Sequence, residues 1–422
     1  MKILLMTIGS RGDVEPYIAL GKALKQRGHY IDLCAAQRFK SLVEAHGLSH
    51  KPLSDDLFQL VEGGTFEKMG SLVSGVKTAL RLMKLAKPIN RQLIVDSIKA
   101  GLESEPELVI YHPKCLAAVS IAEKFGVPAV VLALQPMIVK TRSFPPAGIP
   151  NLGPIINRLS YHLINLGYRQ YLSDLNAQRE ALLDLPRLEK DKGILSHSDG
   201  RPVSVLHAFS EHLLPRPLDW PNHSVITGYC QLTADNETYQ PPQSLTDFLA
   251  VDKPTVYIGF GSMSGKDPER TTQIIIEAVQ KAGVRAIIAT GWGGLKAGSL
   301  PSNILNVDSV AHSWLFPQVT AVVHHGGAGT TAAGLMAGKP TLICPFFADQ
   351  PFWGAEVARK ELGPTPIKQS ALTADKLAYA LRQLVEDERF KENAQRLSIA
   401  LRSENGADNA IEWMKQRGIL KD

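Results

Sequence analysis

The sequence lacks the features that mark membrane-spanning, secreted and nucleic-acid-binding proteins. Its longest apolar stretch, residues 127–134, is far shorter than the ~20 residues that span a bilayer. Only four cysteines occur in 422 residues, and no Cys-x-x-Cys pair is present, which argues against a disulfide framework or a zinc ribbon and favours a reducing cytoplasm. The net charge of +5 is too small to indicate a nucleic-acid partner.

The apolar residues that are present follow an alternating pattern. They make up 44% of the sequence, and a chain of this length exceeds what a single core organises, so two domains are expected. Short apolar runs alternate with helical patterns, which predicts an α/β fold with parallel sheets built from βαβ units. The predicted strands are residues 3–8, 31–35, 108–111, 129–134, 204–208, 286–290, 304–307, 321–324 and 341–344, together with the short apolar run that opens PTVYIGFGSMSGKD, residues 254–267.

A polar segment with two adjacent prolines, residues 233–244, separates two stretches that each carry strands. We interpret it as a linker between an N-terminal domain, residues 1–235, and a C-terminal domain, residues 236–405. Residues 406–422 are predicted to form a final helix that packs back on the N-terminal domain. The opening MKILLMTIGSRGD is interpreted as a buried strand rather than a signal peptide, because glycine and charged residues interrupt the apolar run.

One segment concentrates positive charge. Residues 68–95 hold six basic residues and no acidic one, and helical spacing places Lys77, Arg81 and Lys84 on one face. Such a helix can lie on the inner face of an anionic membrane. The alternative is an ordinary helix whose apolar face packs on the core and whose basic residues are solvated.

The most informative segment is residues 321–345, AVVHHGGAGTTAAGLMAGKPTLICP. A strand ends at His324 and His325, glycines follow, and a helix begins. Backbone amides in such a turn approach an anion closely, and the helix dipole favours negative charge there. The alternative is a tight turn without a ligand.

Three familiar sites can be tested against the same region. The P-loop pattern fails because Pro340 follows Lys339. The dinucleotide pattern G-x-G-x-x-G fails because Ala332 stands at the third glycine. A zinc site is disfavoured because adjacent strand residues such as His324 and His325 point to opposite faces, with no thiol or carboxylate at a usual spacing.

Two segments far apart in the chain carry a resemblance. GSRGDVEPYIALGKALKQRGH near the start and the region from DSVAHSW through HHGGAGTTAAG to ADQPFW near residue 350 resemble the first loop and the C-terminal signature of nucleotide-sugar-dependent glycosyltransferases. The family, glycosyltransferase family 1, includes sterol glucosyltransferases and bacterial antibiotic glycosyltransferases. The resemblance implies a GT-B fold, in which two Rossmann-like domains face each other across a cleft, and an inverting, metal-independent reaction.

The resemblance also implies roles for particular residues in binding the UDP- or TDP-sugar. Asp349 and Gln350 would hold the sugar hydroxyls; in the absence of the motif, a solvated loop pair would be the simpler interpretation. The family's stacking tryptophan aligns near Ser309, so recognition of the base would depend on Val310, His312 and Trp314. The residues expected to contact the diphosphate are Ser10, Arg11, Ser262, His325, Gly327, Gly329 and Thr330.

The reaction also needs a base, because an acceptor hydroxyl is a weak nucleophile until its proton is removed. Asp13, expected in the loop after the first strand, is the candidate, and His112 is the second choice. The alternative role for Asp13 is structural, as a cap of a helix starting near Tyr17 or as a partner of Arg11. An acceptor site near Phe58, Phe66 and Met69 is a further expectation.

These observations together predict a hexosyltransferase. The reaction would move a hexose, glucose by expectation, from UDP- or TDP-sugar to a hydroxyl of an apolar acceptor such as a sterol, polyketide, flavonoid or lipid. Neither a metal nor another cofactor is expected. A nucleotide-sugar 2-epimerase of the same fold and a non-catalytic sugar-nucleotide-binding protein remain as alternatives.

Overall fold

The computed structural model describes residues 1–56, 75–190, 192–232, 239–261, 267–289, 300–308 and 310–421, with the side chains of 75–86 left aside. The chain forms two compact units. Unit 1 comprises Met1–Glu211, Arg216–Leu232 and Asn405–Asp422, and unit 2 comprises His212–Pro215 and Thr233–Glu404.

Unit 1 is built around a seven-stranded sheet in which every pairing is parallel. The strand order is β3-β2-β1-β4-β5-β6-β7. The central strands are apolar and buried on both faces, as expected of a parallel sheet covered by helices. The strands are β1 (Lys2–Met6), β2 (Tyr30–Ala36), β3 (Ser49–Leu53), β4 (Leu108–Tyr111), β5 (Ala129–Ala133), β6 (Ser204–His207) and β7 (Ser224–Ile226).

The helices of unit 1 connect these strands. They are α1 (Arg11–Gln26), α2 (Lys40–Ala45), α3 (Gly75–Ser104), α4 (Ala118–Phe125), α5 (Pro154–Ser160), α6 (His162–Arg169) and α7 (Leu172–Gln178), with a 3-10 turn at Gln37–Phe39 and a π turn at Arg179–Leu183.

Unit 2 repeats the plan on a smaller scale. Its five strands are also parallel and follow the order β10-β9-β8-β11-β12. They are β8 (Thr255–Gly259), β9 (Arg285–Ala289), β10 (Ile304–Val307), β11 (Ala321–His324) and β12 (Thr341–Ile343). The helices are α8 (Gln243–Leu249), α9 (Pro268–Ala282), α10 (His312–Leu315), α11 (Ala328–Met336), α12 (Gln350–Arg359), α13 (Ala374–Glu386) and α14 (Glu388–Ser403), with 3-10 turns at Phe316–Gln318 and Gln369–Ala371.

The final helix, α15 (Gly406–Gln416), lies in unit 1 although unit 2 precedes it. Ile411 and Met414 are fully buried in the core of unit 1. On its polar side, Asp408 accepts a hydrogen bond from Arg27 at 2.7 Å, and Asn409 donates one to the Thr227 carbonyl at 2.8 Å. The chain therefore ends in the unit in which it begins.

The first helix starts earlier than the sequence pattern indicates. The expectation that Asp13 lies in a loop before a helix from residue 17 is wrong: α1 begins at Arg11, and Asp13 lies in its first turn. Gly12 and Pro16 weaken the helical pattern there. Ser10 and Asp13 offset this weakness, because each caps the other's backbone at the helix start.

Two strands and a group of helices were not expected from the sequence. Strands β3 and β7 are the edges of the seven-stranded sheet; β3 has the polar sequence SHKPL and β7 has only three residues. An edge strand can be short and polar, which hides it from a search for apolar runs. Helices α5 to α7 lie in a segment to which no element was assigned. Among the described residues, we find no helix that is both long and apolar enough to cross a membrane.

Candidate functional site

Each sheet has one place where the connections of two neighbouring strands leave in opposite directions. In unit 1 this point lies between β1 and β4, and in unit 2 between β8 and β11. Open parallel sheets bind ligands outside the carboxyl ends of the strands at such a switch point. The candidate residues gather there: Asp13 follows β1 and His112 follows β4 in unit 1, and His325 follows β11 in unit 2.

The Asp13 carboxylate is held by the start of α1. Its Oδ2 accepts hydrogen bonds from the Ser10 backbone N–H at 2.8 Å and from the Ser10 hydroxyl at 3.0 Å. The backbone carbonyl of Asp13 accepts a hydrogen bond from the Thr7 hydroxyl at 2.8 Å. Gly9 makes room for this arrangement: its φ is +144°, and a β-carbon there would overlap the Asp13 carboxylate.

The other carboxylate oxygen faces two residues after β4. Asp13 Oδ1 lies 3.2 Å from Lys114 Nζ and 3.6 Å from His112 Nε2. Burial alone would raise the pKa of Asp13. The charge of Lys114, together with the hydrogen bonds that Lys114 and Ser10 donate, outweighs burial and lowers that pKa. Asp13 is therefore ionised at neutral pH.

His112 is neutral at the same pH. Its side chain is buried, and burial followed by the positive charge of Lys114 lowers its pKa to about 3, despite the opposing effect of Asp13. The backbone N–H of Lys114 donates to Nδ1 at 3.2 Å, so the single ring proton belongs on Nε2, directed at Asp13. In this arrangement His112 directs its N–H toward Asp13 Oδ1, and its buried ring is not exposed to an incoming hydroxyl.

The two predicted diphosphate contacts of unit 1 have different surroundings. Ser10 is the N-cap of α1 and is engaged with Asp13. Arg11 is exposed and pairs with Glu15 at 2.6 Å. The alternative in which Asp13 pairs with Arg11 is therefore not what the structure has.

The glycine-rich turn of unit 2 joins β11 to α11. His324 points into the core and is fully buried, and its Nδ1 accepts the Gly326 backbone N–H at 2.9 Å. Gly326 has φ of +94°, and a β-carbon there would lie 2.6 Å from Ile343 and 3.2 Å from the Gln350 carbonyl. Gly327 is the N-cap of α11, so the amides of Gly329 and Thr330 belong to its first turn.

His325 lies over this turn. A β-carbon would lie 2.7 Å from its Nε2 if placed on Gly327, and 3.3 Å from its Cε1 if placed on Gly261 after β8. The ring therefore occupies the space that these glycines leave open at the switch point. Burial lowers its pKa to about 4, and its Nδ1 is buried without a hydrogen-bond partner among the described residues. A neutral ring with an unused polar atom beside a helix start is suited to binding an anion.

Asp349 and Gln350 lie beside the turn, at the start of α12 after β12. Trp353 donates its indole N–H to Asp349 Oδ2 at 3.0 Å, and Gln350 Oε1 accepts the Phe346 backbone N–H at 2.8 Å. Ala348, just before them, has φ of +58°, a left-handed conformation that costs a non-glycine residue ~1 kcal/mol. Both side chains are buried and held in place, unlike those of a solvated loop pair.

The predicted base-binding residues take part in the packing of unit 2. The His312 ring stacks on Phe316 at 4.4 Å, and its Nε2 lies 3.2 Å from the Tyr257 hydroxyl. Trp314 contacts Tyr239, with ring centroids 5.6 Å apart. Val310 packs against the apolar cluster beneath them.

Several predicted positions lie outside the described residues. These are Ser262, Ser309, the acceptor candidates Phe58, Phe66 and Met69, and the side chains of Lys77, Arg81 and Lys84.

Sequence reasoning did not find Gly9, Lys114, Gly261 or Trp353. The usable signal for Lys114 was its place just after β4, the strand next to β1 across the switch point. In addition, Ile8, Lys114 and Leu116 line a small depression together with four α3 residues, Asn90, Leu93, Ile94 and Ser97.

Two family descriptions match different parts of the chain. Residues 3–142 match the glycosyltransferase family 28 N-terminal domain, and residues 274–410 match the C-terminal domain of erythromycin biosynthesis protein CIII-like proteins. Solved structures are similar over the whole chain at low identity. The glycotransferase of kitacinnamycin has a TM-score of 0.73 at 19% identity, covering 98% of both chains. The calicheamicin glycosyltransferase CalG4 has a TM-score of 0.69 at 17% identity, covering 99% of this chain and 98% of that one. These likenesses show the GT-B fold.

Closer sequence relatives share one name. Two sterol 3-beta-glucosyltransferases of Arabidopsis thaliana are each 35% identical over 98% of this chain, covering 65% and 67% of their own lengths. One of Yarrowia lipolytica is 36% identical over 98% of this chain and 28% of its own length. The chain thus spans about two thirds of the plant relatives and under a third of the yeast one. The chain belongs to the GT-B glycosyltransferase family that includes the sterol 3-beta-glucosyltransferases and the bacterial antibiotic glycosyltransferases.

Proposed function

We propose that the protein transfers a hexose, glucose in the first instance, from UDP- or TDP-sugar to a hydroxyl of an apolar acceptor such as a sterol, polyketide, flavonoid or lipid. The observation that carries the proposal is the pair of switch points. The switch point of unit 1 holds the ionised carboxylate of Asp13. The switch point of unit 2 holds the glycine-rich turn beneath His325, which is suited to binding an anion. The names of the plant and yeast relatives support a sterol as the first acceptor to test.

Unit 2 is the proposed donor side. As the glycosidic bond breaks, the leaving nucleoside diphosphate gains negative charge, and fixed donors must stabilise it if no metal does so. The amides of Gly327, Gly329 and Thr330 at the start of α11 and the ring of His325 supply such donors. Ser10, Arg11 and Ser262 complete the proposed diphosphate contacts.

The remaining proposed donor contacts are those with the sugar and those with the base. Asp349 would accept hydrogen bonds from the sugar hydroxyls, and Gln350, whose Oε1 already accepts two backbone N–H groups, would donate from its amide nitrogen. These roles suit side chains that are buried and held by Trp353 and the loop backbone. Val310, His312 and Trp314 would border the base. Because the His312 ring stacks on Phe316 and its Nε2 contacts the Tyr257 hydroxyl, the ring is held in one orientation toward the base.

Unit 1 is the proposed acceptor side, with Asp13 as general base. Three hydrogen bonds, two from Ser10 and one from Lys114, use three of about four acceptor positions of the carboxylate. His112 Nε2 lies 3.6 Å from Asp13 Oδ1, too far for a hydrogen bond, so the remaining position is open to the acceptor hydroxyl. As the hydroxyl oxygen bonds to C1 of the sugar, its proton passes to Asp13 and the bond from C1 to the diphosphate oxygen breaks. A single displacement of this kind inverts the configuration at C1.

The depression beside Lys114 is a starting point for acceptor binding. The depression has no room for a ligand by itself, so the acceptor would need additional surface. We place the protein in the cytoplasm, and its four buried, unpaired cysteines support a reducing compartment.

A screen of donors against acceptors tests the proposal. Purified protein is incubated with UDP-glucose or TDP-glucose and a sterol, a flavonoid or a hydroxylated lipid, and the products are identified by mass spectrometry. We expect a hexose on an acceptor hydroxyl, with β configuration from the α-linked donor, and no loss of activity in excess chelator.

A matched reaction with donor alone separates the alternatives. Conversion of the donor to a stereoisomer without any acceptor would identify a 2-epimerase. Tight donor binding without turnover on any acceptor would identify a binding protein. Either result would contradict the transferase proposal.

A further inference from the structure

Helices α5 and α6 of unit 1 present their apolar side chains to solvent. Six large apolar residues within fifteen positions are exposed, and all but Ile156 have more than half of their surface accessible. They are Leu152 (58%), Ile155 (75%), Ile156 (47%), Leu159 (57%), Leu163 (56%) and Leu166 (61%). We call these residues the 152–166 face. Ile155, Leu159 and Leu163 follow at intervals of four, which places them on one side of consecutive helical turns.

The opposite side of these helices is buried and partly polar. Asn157 is 2% exposed and donates hydrogen bonds to Asn151 Oδ1 at 2.9 Å and to the Arg142 carbonyl at 3.3 Å. Tyr161 is buried and donates to the Phe144 carbonyl at 3.2 Å. Large aliphatic side chains that a surface helix usually buries are therefore exposed here. A contiguous exposed apolar patch of this kind marks an interaction surface.

The surrounding charge indicates the type of partner. From Lys124 to Ser173 the sequence has no acidic residue. Lys140 and Arg142 precede the 152–166 face, Arg158 lies within it, and Arg169 follows it. An acid from elsewhere faces this segment: Asp219 pairs with Arg158 at 3.3 Å and accepts the Arg142 backbone N–H at 2.8 Å. The positive charges of Lys140, Arg142 and Arg169 exceed this single negative charge.

We propose that the 152–166 face lies on the surface of an anionic lipid bilayer. Apolar side chains on one side of a helix insert at the boundary between headgroups and acyl chains, and flanking basic residues are attracted to anionic lipid. A second copy of the chain is a poorer fit, because a two-fold interface would set the basic residues of one copy against those of the other. This surface is separate in sequence from residues 68–95.

The lipid contact does not depend on the proposed function. Its use in delivering an apolar acceptor from the bilayer does, because delivery matters only if the protein carries out the transfer reaction. An acceptor such as a sterol dissolves in the bilayer and not in water, so an enzyme held at the membrane surface meets it at high local concentration.

Vesicle flotation tests the contact. Vesicles of phosphatidylcholine alone are compared with vesicles of phosphatidylcholine and phosphatidylglycerol in equal parts. We expect the unmodified protein to float with the anionic vesicles and to be released by high salt. The double variant Leu159→Glu with Leu163→Glu should lower the partition coefficient by about tenfold per residue, because each change removes an inserted apolar group and adds a negative charge.

The matched control is Ile399→Glu, since Ile399 is an equally large apolar residue with 74% exposure in α14 of unit 2. It should float like the unmodified protein. Circular dichroism reports whether each variant is folded, and Leu159→Ser with Leu163→Ser replaces the Glu pair if that pair unfolds the chain.

Equal flotation of the double variant and the control would overturn the inference. So would a dimer, seen by sedimentation, that the double variant converts to monomer. Transfer to a water-soluble acceptor, measured in parallel, keeps the two proposals apart. Flotation without transfer would contradict the proposed function alone, and transfer without flotation would contradict the lipid contact alone.

Discussion

At the scale of single residues, the candidate base is defined by what surrounds its two oxygens. Ser10 occupies one oxygen of Asp13, and the other faces Lys114 and His112. The same residue therefore completes the first turn of α1 and carries the ionised carboxylate. The structural and catalytic interpretations of Asp13 do not exclude each other, because the cap is what orients the carboxylate.

Lys114→Met is expected to shift the acid limb of kcat/KM to higher pH. Asp13 must be ionised to act as a base, so activity is present above its pKa and is lost as the pH falls through that pKa. Lys114 lowers the pKa of Asp13, and without this charge the effect of burial raises that pKa. The pH profile with a soluble acceptor measures the shift.

Lys124→Met is the control for this experiment, because Lys124 is also an exposed lysine of unit 1 but lies at the end of α4. Its profile should match that of the unmodified protein. An acid limb that stays in place in Lys114→Met would show that the titrating group is not the carboxylate beside Lys114.

The sequence indicated Asp13 as a candidate base but not its contact with Lys114. Asp13 could be found because it lies in a recognisable segment after the first strand. Lys114 is 101 residues away, and it approaches Asp13 only because β4 pairs with β1 in the sheet. A contact that depends on strand order cannot be derived from local spacing.

At the scale of elements, the strand, turn and helix around residue 326 form the proposed donor side. Gly326 is needed there for two reasons, since its φ is in the left-handed region and since Ile343 and Gln350 leave no room for a β-carbon. The second reason links the turn to the start of α12, so the geometry of Gln350 depends on that of the glycine-rich turn.

Gly326→Ala is expected to destabilise the protein by about 2 kcal/mol or more, through both backbone strain and overpacking. It should also weaken UDP binding by about tenfold, because the first amides of α11 are displaced. Thermal unfolding measures the first effect and isothermal titration calorimetry with UDP the second.

Gly283→Ala separates the two effects. Gly283 also has a left-handed φ, of +69°, and also lies in unit 2, but nothing lies within 4 Å of a β-carbon placed there. We expect a loss of about 1 kcal/mol with unchanged UDP affinity. If the two variants bind UDP equally, the turn is not the anion site.

Elements were predicted best where their sequences are apolar. The strands expected at residues 108–111, 304–307 and 321–324 have the observed bounds. The edge strands β3 and β7 carry too little apolar signal. Helices α5 and α6 have only seven and eight residues, too few for a helical period to be distinct in the sequence. Which side of these helices is exposed, the observation that indicates a lipid surface, depends on the fold and not on the sequence pattern.

At the scale of the whole molecule, the two-unit plan was accessible from the sequence because a polar, proline-containing segment separates two series of strands. The division of the structure falls between Leu232 and Thr233, where that segment begins. The place of α15 in unit 1 depends on contacts such as that of Arg27 with Asp408, which are 381 residues apart. Such contacts are invisible to local patterns.

The most direct measurement of the central claim is the turnover of Asp13→Asn. Asparagine preserves the size of the side chain but cannot take the proton of the acceptor hydroxyl. The control is Asp199→Asn, a change in an exposed aspartate that pairs with Arg201. Both variants are assayed for UDP binding and for transfer of glucose to a sterol. We predict that Asp13→Asn binds UDP normally and loses transfer by roughly 10²- to 10⁴-fold, whereas transfer within a few fold of the control would contradict Asp13 as the base.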